Sequence, residues 1–104
     1  MDKRAFLSRA KDLLGTAFKG RLQGIVLYGS EARGGARADS DIDLLVLLSG
    51  PLKRRSDRWA CVRALYPLVL ELERPIHAKP VDNREYEAQR LPLYQEAMRY
   101  GILA

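Results

Sequence analysis

Apolar residues recur at intervals of three and four positions between residues 6 and 18. Lys, Arg, Asp and small residues occupy the positions between them, so a helix built from this segment has one apolar face and one polar, solvent-exposed face. The apolar face would consist of Phe6, Leu7, Ala10, Leu13, Leu14, Ala17 and Phe18. The pattern therefore predicts an amphipathic helix that ends near Gly20.

Three short runs further along the chain have the character of strands. Residues 25–28 and 42–48 are almost continuously apolar and are bordered by Gly, Ser and Asp, which is typical of strands buried on both faces. We expect these two to be central strands. Residues 76–81 predict a third strand, and Pro80, which has no N–H to donate, places it at an edge or near its own end.

The segment from residue 56 to residue 72 again has apolar residues at helical spacing. Ser56 or Asp57 can cap this helix, and Pro67, which lacks a backbone N–H, is expected to kink it. Its predicted apolar face consists of Trp59, Val62, Leu65, Tyr66, Val69 and Leu72.

Two more helices are predicted near the end of the chain. Asp82 or Asn83 can cap a short helix, and Pro92 suits the first turn of a last helix that Gly101 closes. All these elements predict a small mixed β-sheet flanked by helices, an α/β or α+β fold, in a single domain over residues 1–104.

The charge of the chain favours an anionic partner. Its 104 residues carry 18 Lys and Arg against 13 Asp and Glu, a net charge of +5, which suits nucleotide phosphates, nucleic acid or an acidic protein. Nucleic acid is the weaker choice, because the basic residues at 53–58 lack interleaved aromatic residues. The single cysteine, Cys61, and the absence of a long apolar run predict a cytoplasmic protein with no membrane partner.

The stretch after the first strand, YGSEARGGAR, has the residues that an anion site needs. Gly29 has no Cβ, so its backbone can approach a ligand closely, and the hydroxyl of Ser30 can donate to a phosphate oxygen. If Ser30 opens a short helix, free N–H groups point at the same anion. Arg33 and Arg37 lie close enough in sequence to add positive charge.

Asp41 and Asp43 stand at alternate positions at the start of the second strand, so their side chains project on the same face. Two neighbouring carboxylates repel each other unless a cation lies between them, and oxygen ligands of this kind suit Mg²⁺. A pair of such ions can hold the attacking and leaving oxygens of a displacement at phosphorus. The stretch therefore predicts a site for a nucleoside triphosphate and a divalent metal.

The joint pattern, Gly29-Ser30 followed by ten residues and then Asp41-x-Asp43, resembles the signature of the DNA polymerase β-like nucleotidyltransferase superfamily. It is most similar to the short, single-domain minimal nucleotidyltransferases (MNT). The resemblance implies transfer of a nucleoside monophosphate, usually AMP from ATP, to a hydroxyl. It also implies that Gly29 and Ser30 bind the triphosphate and that Asp41 and Asp43 bind Mg²⁺.

The resemblance carries implications for the partner as well. Many minimal nucleotidyltransferases are antitoxins that bind a HEPN ribonuclease toxin, and some silence it by adenylylating a tyrosine. A HEPN-type toxin would then be both substrate and subunit. Homo-oligomerisation, the nucleotide and the acceptor are left open.

The third strand departs from the family pattern. Full nucleotidyltransferases have a third carboxylate there, and this strand, PIHAKPV, has His77 at that place, with Lys79 on the same face and Asp82 just past the end. His77 is either an ordinary strand residue or a substitute base or ligand, and imidazole suits Mn²⁺ better than Mg²⁺. The chain is thus expected to be a nucleotidyltransferase, or else a weak or inactive binding module that neutralises its partner by occlusion.

Overall fold

The computed structural model describes residues 1–37 and 39–104. Its helices are α1 (Lys3–Phe18), α2 (Gly29–Arg33), α3 (Arg54–Leu72), α4 (Asn83–Glu87) and α5 (Pro92–Tyr100), and its strands are β1 (Leu22–Tyr28), β2 (Ile42–Leu48), β3 (Ile76–Asp82) and β4 (Ile102–Leu103). A 3₁₀ turn at Lys19–Arg21 connects α1 to β1.

In this part of the chain the strands form one mixed sheet in the order β3-β2-β1-β4. β1 runs antiparallel to β2 and β4, and β2 runs parallel to β3. The predicted central positions of β1 and β2 and the edge position of β3 are confirmed. β4 was not predicted, because a two-residue strand is too short to show a periodic pattern.

Helices cover both faces of the sheet. α1 and α3 pack on one face, against Ile25, Leu27, Leu44 and Val46. Val26, Leu45, Leu47 and Val81 point to the other face, where they pack with Tyr86 of α4 and with Tyr94 and Ala97 of α5. Because successive strand residues alternate between faces, β2 is apolar almost throughout, as expected for a strand buried on both sides.

The predicted apolar face of α3 is correct for Leu65, which is buried, and for Leu72, which packs against the core, but it is wrong for three other residues. Trp59, Val62 and Tyr66 are exposed, and Cys61, Leu65 and Leu68 are the hydrophobic residues that the helix buries. Neither Ser56 nor Asp57 caps the helix, whose N-cap is Lys53.

Asp57 explains the orientation of α3. It lies buried in the first turn and accepts hydrogen bonds from both terminal nitrogens of Arg21, at 2.8 and 2.9 Å, and from the backbone N–H of Lys53, at 2.8 Å. The hydrogen bonds from Arg21 lower the pKa of Asp57. Asp57, Cys61 and Leu65 follow one another at intervals of four, so this ion pair turns their face towards the sheet.

The remaining helix ends agree with the sequence. The side chain of Asp82 accepts the N–H of Arg84 and caps α4, Pro92 opens α5, and the N–H of Gly101 donates to the carbonyl of Ala97 at its end. α3 continues through Pro67 as one helix. None of the helices described is long and apolar enough to cross a membrane.

Candidate functional site

The chemistry-bearing residues meet where β1 ends and where β2 and β3 begin. In the sheet register Asp43 lies between Tyr28 of β1 and His77 of β3. Asp43 alternates with Ile42 and Leu44, so its side chain points to the face covered by α4 and α5. This end of the sheet therefore brings together residues that are far apart in the sequence.

Gly29 is packed directly against the carboxylate of Asp43. Its φ angle is +74°, and a Cβ at this position would lie 2.5 Å from Asp43 Oδ2 and 3.4 Å from Asp43 Cγ. Any larger residue would be strained by its backbone and would displace the carboxylate. The sequence suggested that Gly29 admits a ligand, and the structure adds that it makes room for Asp43.

Ser30 is exposed and follows Gly29 in the short helix α2, which confirms the predicted helical turn. Gly34, with a φ angle of +79°, ends this helix in the left-handed conformation. Ser30 is therefore one residue from the backbone that contacts Asp43, with its side chain at the surface.

Asp41 lies immediately before β2 and is exposed, whereas the Asp43 side chain is 31% exposed. His77 Nδ1 lies 3.7 Å from Asp43 Oδ1, and its side chain is 63% exposed. The structure thus places His77 beside Asp43. In the described chain, no three His, Cys, Asp or Glu residues are grouped closely enough to hold a metal ion.

Asp82 does not belong to this group. It pairs with Leu48 in the register of β2 and β3, five positions beyond His77. At about 3.3 Å per residue, this separates it from His77 by about 16 Å. Asp82 caps α4 instead, so it does not replace the missing carboxylate.

Carboxylates at the start of β2 fit a divalent cation. Asp41 and Asp43 supply hard oxygen donors, and Gly29 leaves the space beside the second carboxylate that a side chain would fill. His77 adds a nitrogen donor next to Asp43. His77 is nevertheless not grouped with Asp41 and Asp43 closely enough for the three side chains to hold an ion by themselves, so phosphate oxygens of a triphosphate would have to complete its coordination.

Tyr28 contributes a neutral phenol at the same end of the sheet. It is half-buried and lies opposite Asp43 in the antiparallel pair of β1 and β2. Burial, with a smaller contribution from the negative charge of Asp43, raises the pKa of Tyr28. The hydroxyl consequently stays protonated beside the carboxylate at neutral pH.

A cleft of about 270 Å³ lies along the edge strand β3, next to His77. It is lined by Arg58, His77, Ala78, Lys79 and Pro80. Lys79 lies on the same face of β3 as His77, as the sequence predicted, because the two are two positions apart in a regular strand. The cleft thus presents two cationic side chains near the candidate site.

The two arginines predicted to bind nucleotide are placed differently. Arg33 forms an ion pair with Glu96 of α5 and lies 5.1 Å from the ring of Tyr100. Arg37 is exposed, and its backbone carbonyl accepts hydrogen bonds from Ser40. Arg33 is therefore held along α5, and a nucleotide contact for either arginine stays a prediction.

A buried ion pair beside the site was not recognised in the sequence. Arg74 donates through Nη2 to Glu31 of α2 at 2.5 Å, and through Nε to the carbonyl of Ser40 at 3.0 Å. Both charged residues are buried. The pair connects the turn before β3 to α2 and to the residue preceding Asp41. Charged residues are usually exposed, so nothing in the sequence marked Glu31 and Arg74 as a buried pair.

Similarity to known proteins agrees with the site geometry described above. The family profile described as nucleotidyltransferase domain matches residues 7–101. A comparison with curated proteins gives no significant match.

Solved structures share the fold. A toxin–antitoxin structure with AMP-PNP has a TM-score of 0.65 and 21% identity, over 99% of this chain and 72% of that one. A mutant of the toxin–antitoxin MntA–HpeT has a TM-score of 0.62 and 21% identity, over 100% and 72%. Spectinomycin adenyltransferase AAD(9) from Enterococcus faecialis, with ATP and spectinomycin, has a TM-score of 0.61 and 24% identity, over 81% and 36%.

Proposed function

We propose that this chain, which belongs to the nucleotidyltransferase domain family, transfers a nucleoside monophosphate from a nucleoside triphosphate to a hydroxyl of a protein partner. The family membership confirms the resemblance inferred from the motif. The proposal further specifies AMP as the transferred group and a protein as the acceptor. The observation that carries it is the seating of the Asp43 carboxylate on the backbone of Gly29, with His77 beside it.

Each residue of the site has a role in this chemistry. Asp41 and Asp43 would hold the divalent cation, with Mg²⁺ as the first choice and Mn²⁺ as a better match to His77. When bound, the ion neutralises triphosphate charge and orients the reacting oxygens. The hydroxyl of Ser30 donates to a phosphate oxygen, and Gly29 keeps the neighbouring space open.

The transfer itself needs a group that takes a proton. The acceptor oxygen forms a bond to the α-phosphorus, the bond to pyrophosphate breaks, and the hydroxyl proton leaves. The exposed imidazole of His77 can accept that proton through the ring nitrogen that carries no proton in the neutral form. The cleft along β3 gives an acceptor access to His77 from solvent.

The proposed partner is a HEPN-type toxin, for which this chain is the antitoxin in a cytoplasmic pair. Two structures that share the fold over almost the whole of this chain are toxin–antitoxin proteins, one with AMP-PNP. That support concerns the class of partner, and the HEPN type comes from the motif resemblance. The acceptor would be a tyrosine hydroxyl of the toxin.

Transfer of label from α-³²P-ATP to a copurified partner tests the proposal. We expect Mg²⁺-dependent labelling by the wild type and none by Asp41→Asn or Asp43→Asn. Asp12→Asn is the matched control, because Asp12 is an exposed carboxylate on α1. Equal labelling by the two site variants would show that these aspartates do not carry the reaction.

A binding module without catalysis is the second candidate. It is favoured by the departure at His77, which occupies the place where the family pattern has a third carboxylate. In that case the Asp41→Asn/Asp43→Asn double variant would still neutralise the toxin, and mass spectrometry would find no modification on it. Loss of neutralisation by the double variant would support the enzyme instead.

A further inference from the structure

α3 carries a row of large apolar side chains that faces solvent. Trp59 is 61% exposed, Val62 49%, Tyr66 56% and Leu70 60%. They are spaced by three, four and four positions, so they lie on one side of the helix. Cys61, Leu65 and Leu68 occupy the opposite side and pack into the core. We name the four exposed residues the α3 outer stripe.

Single exposed apolar residues are ordinary, but a continuous stripe of this composition is not. Trp and Tyr are enriched in the buried centres of protein interfaces, where each removes a large apolar area from water. The rotation of α3 is fixed by the buried contact of Asp57 with Arg21. The stripe therefore faces outwards as a consequence of the fold.

The charges around the stripe are almost all positive. Arg55 and Arg63 lie on the same side of the helix as Trp59, and within the described residues neither forms an ion pair. The acids of α3 are engaged elsewhere, since Asp57 is buried and Glu71 pairs with Arg9. The stripe is thus an apolar surface framed by arginines.

We propose that the α3 outer stripe is a docking surface for an acidic amphipathic helix of a partner protein. The apolar face of that helix covers Trp59, Tyr66 and Leu70, and its flanking Asp and Glu residues face Arg55 and Arg63. A second copy of this chain fits less well, because two-fold packing about the stripe brings Arg63 near its own counterpart and joins two chains of net charge +5.

This surface goes beyond the proposed transfer reaction. α3 packs on the face of the sheet with Leu44 and Val46, whereas Asp43 points to the other face. A helix docked on the stripe leaves Gly29 and Asp43 uncovered. Binding is accordingly expected to be independent of nucleotide and metal, and equal in the wild type and in Asp41→Asn/Asp43→Asn.

Trp59 provides the measurement, since it is the only tryptophan in the chain. The probes are three synthetic helical peptides with the same length and apolar face, whose flanking positions are all Glu, all Gln or all Lys. We expect the Glu peptide to shift Trp59 emission to shorter wavelength and to bind about tenfold more tightly than the Gln peptide at low salt. The Lys peptide should bind more weakly than both.

Variants separate the apolar and charged contributions. Leu70→Asp should abolish binding of the Glu peptide, whereas Met98→Asp, which changes an exposed apolar residue on α5, should leave it unchanged. Arg55→Gln/Arg63→Gln should remove the preference for Glu over Gln. Circular dichroism confirms that each variant is folded.

Three results would overturn the proposal. Equal binding of the Glu and Lys peptides, or no binding of any of the three peptides, would rule out an acidic helix as the partner of this surface. Self-association of the wild type that Leu70→Asp abolishes would assign the stripe to a second copy of the chain. Binding of a labelled single-stranded oligonucleotide that Arg55→Gln/Arg63→Gln abolishes would assign it to nucleic acid.

Discussion

Two arginine–carboxylate ion pairs, one fully buried and one with a buried carboxylate and a partly exposed arginine, hold different parts of the molecule. In the scaffold pair, Asp57 and Arg21 join the first turn of α3 to the turn before β1, and Arg21 also donates to the carbonyl of Pro51. In the site pair, Glu31 and Arg74 join α2 to the turn before β3, and Arg74 donates to the carbonyl of Ser40. The first pair touches only structural segments, whereas the second touches both segments that carry the candidate site.

The difference shows that the effect of a buried ion pair on stability or activity cannot be read from its chemistry alone. Replacing such a pair by apolar residues is often neutral for stability, whereas removing one partner leaves a buried charge unpaired. What matters is which segments the pair orders. We therefore expect changes in the scaffold pair to affect stability and changes in the site pair to affect transfer.

The largest expected effect on stability comes from breaking the scaffold pair. Asp57→Ala should lower the free energy of unfolding by about 3 kcal/mol, the lower end of the range for a broken buried pair, because Arg21 keeps some contact with water. Urea unfolding measures it. Glu71→Ala, which breaks the exposed pair with Arg9, is the control and should cost less than about 1 kcal/mol. Equal losses would show that burial does not distinguish the two pairs.

The same pair predicts a dependence on pH. The hydrogen bonds from Arg21 lower the pKa of Asp57 in the folded chain below its unfolded value of 3.8. Its contribution to stability is therefore complete above that unfolded pKa and is lost as the pH falls through the lower folded pKa. The difference in unfolding free energy between the wild type and Asp57→Asn should be constant near pH 7. It should shrink towards zero as the pH falls below 3.8 and through the lower folded pKa. A difference that widens on acidification would contradict this assignment.

Double apolar replacements should separate the two pairs by function. Glu31→Met/Arg74→Met removes the anchor of Ser40, so we expect transfer to fall about 30-fold, of the order that a displaced catalytic group costs. Arg21→Met/Asp57→Met should leave transfer within about threefold of the wild type, because its partners lie away from the site. The label-transfer assay measures both. An equal fall in both variants would mean that general loosening of the fold is responsible.

A smaller effect is expected at His77. His77→Asp places a carboxylate beside Asp43, where the family pattern has its third acid, so Mg²⁺-dependent transfer should rise about fivefold and the advantage of Mn²⁺ should shrink. Lys79→Asp is the control, because it places the same carboxylate two positions along β3 and changes the charge in the same direction by a larger amount. An equal gain from both would indicate a general charge effect. If His77→Asp gives no gain, the hypothesis that the imidazole of His77 is a weak substitute for a third carboxylate is contradicted.

The sequence predicted the parts of the fold that have a single strong pattern. α1 has one apolar face, β1 and β2 are apolar runs, and the caps of α4 and α5 are residues with known backbone preferences. α3 has two apolar stripes, and the exposed one has the larger side chains. Hydrophobicity therefore placed Trp59, Val62 and Tyr66 on the buried side. The rotation of the helix depends instead on the contact of Asp57 with Arg21, which belongs to another element.

The candidate site was predictable where its residues are neighbours in sequence. Gly29, Ser30, Asp41 and Asp43 belong to one motif. The contact of Gly29 with Asp43, however, depends on the pairing of the end of β1 with the start of β2 in the sheet. His77 comes beside Asp43 only through the register of β2 and β3. Arg74 reaches Ser40 across the turn before β3, and long-range contacts of this kind leave no periodic signal.

The most direct test of the site compares two glycines of similar conformation. Gly29 and Gly34 have φ angles of +74° and +79°, so Ala should strain the backbone similarly, by about 1 kcal/mol, at either position. Only at Gly29 does a Cβ meet the carboxylate of Asp43, since nothing lies within 4 Å of it at Gly34. We predict that Gly29→Ala lowers label transfer at least about 100-fold and that Gly34→Ala lowers it less than about threefold. Equal rates in the two variants would contradict a site built on Gly29 and Asp43.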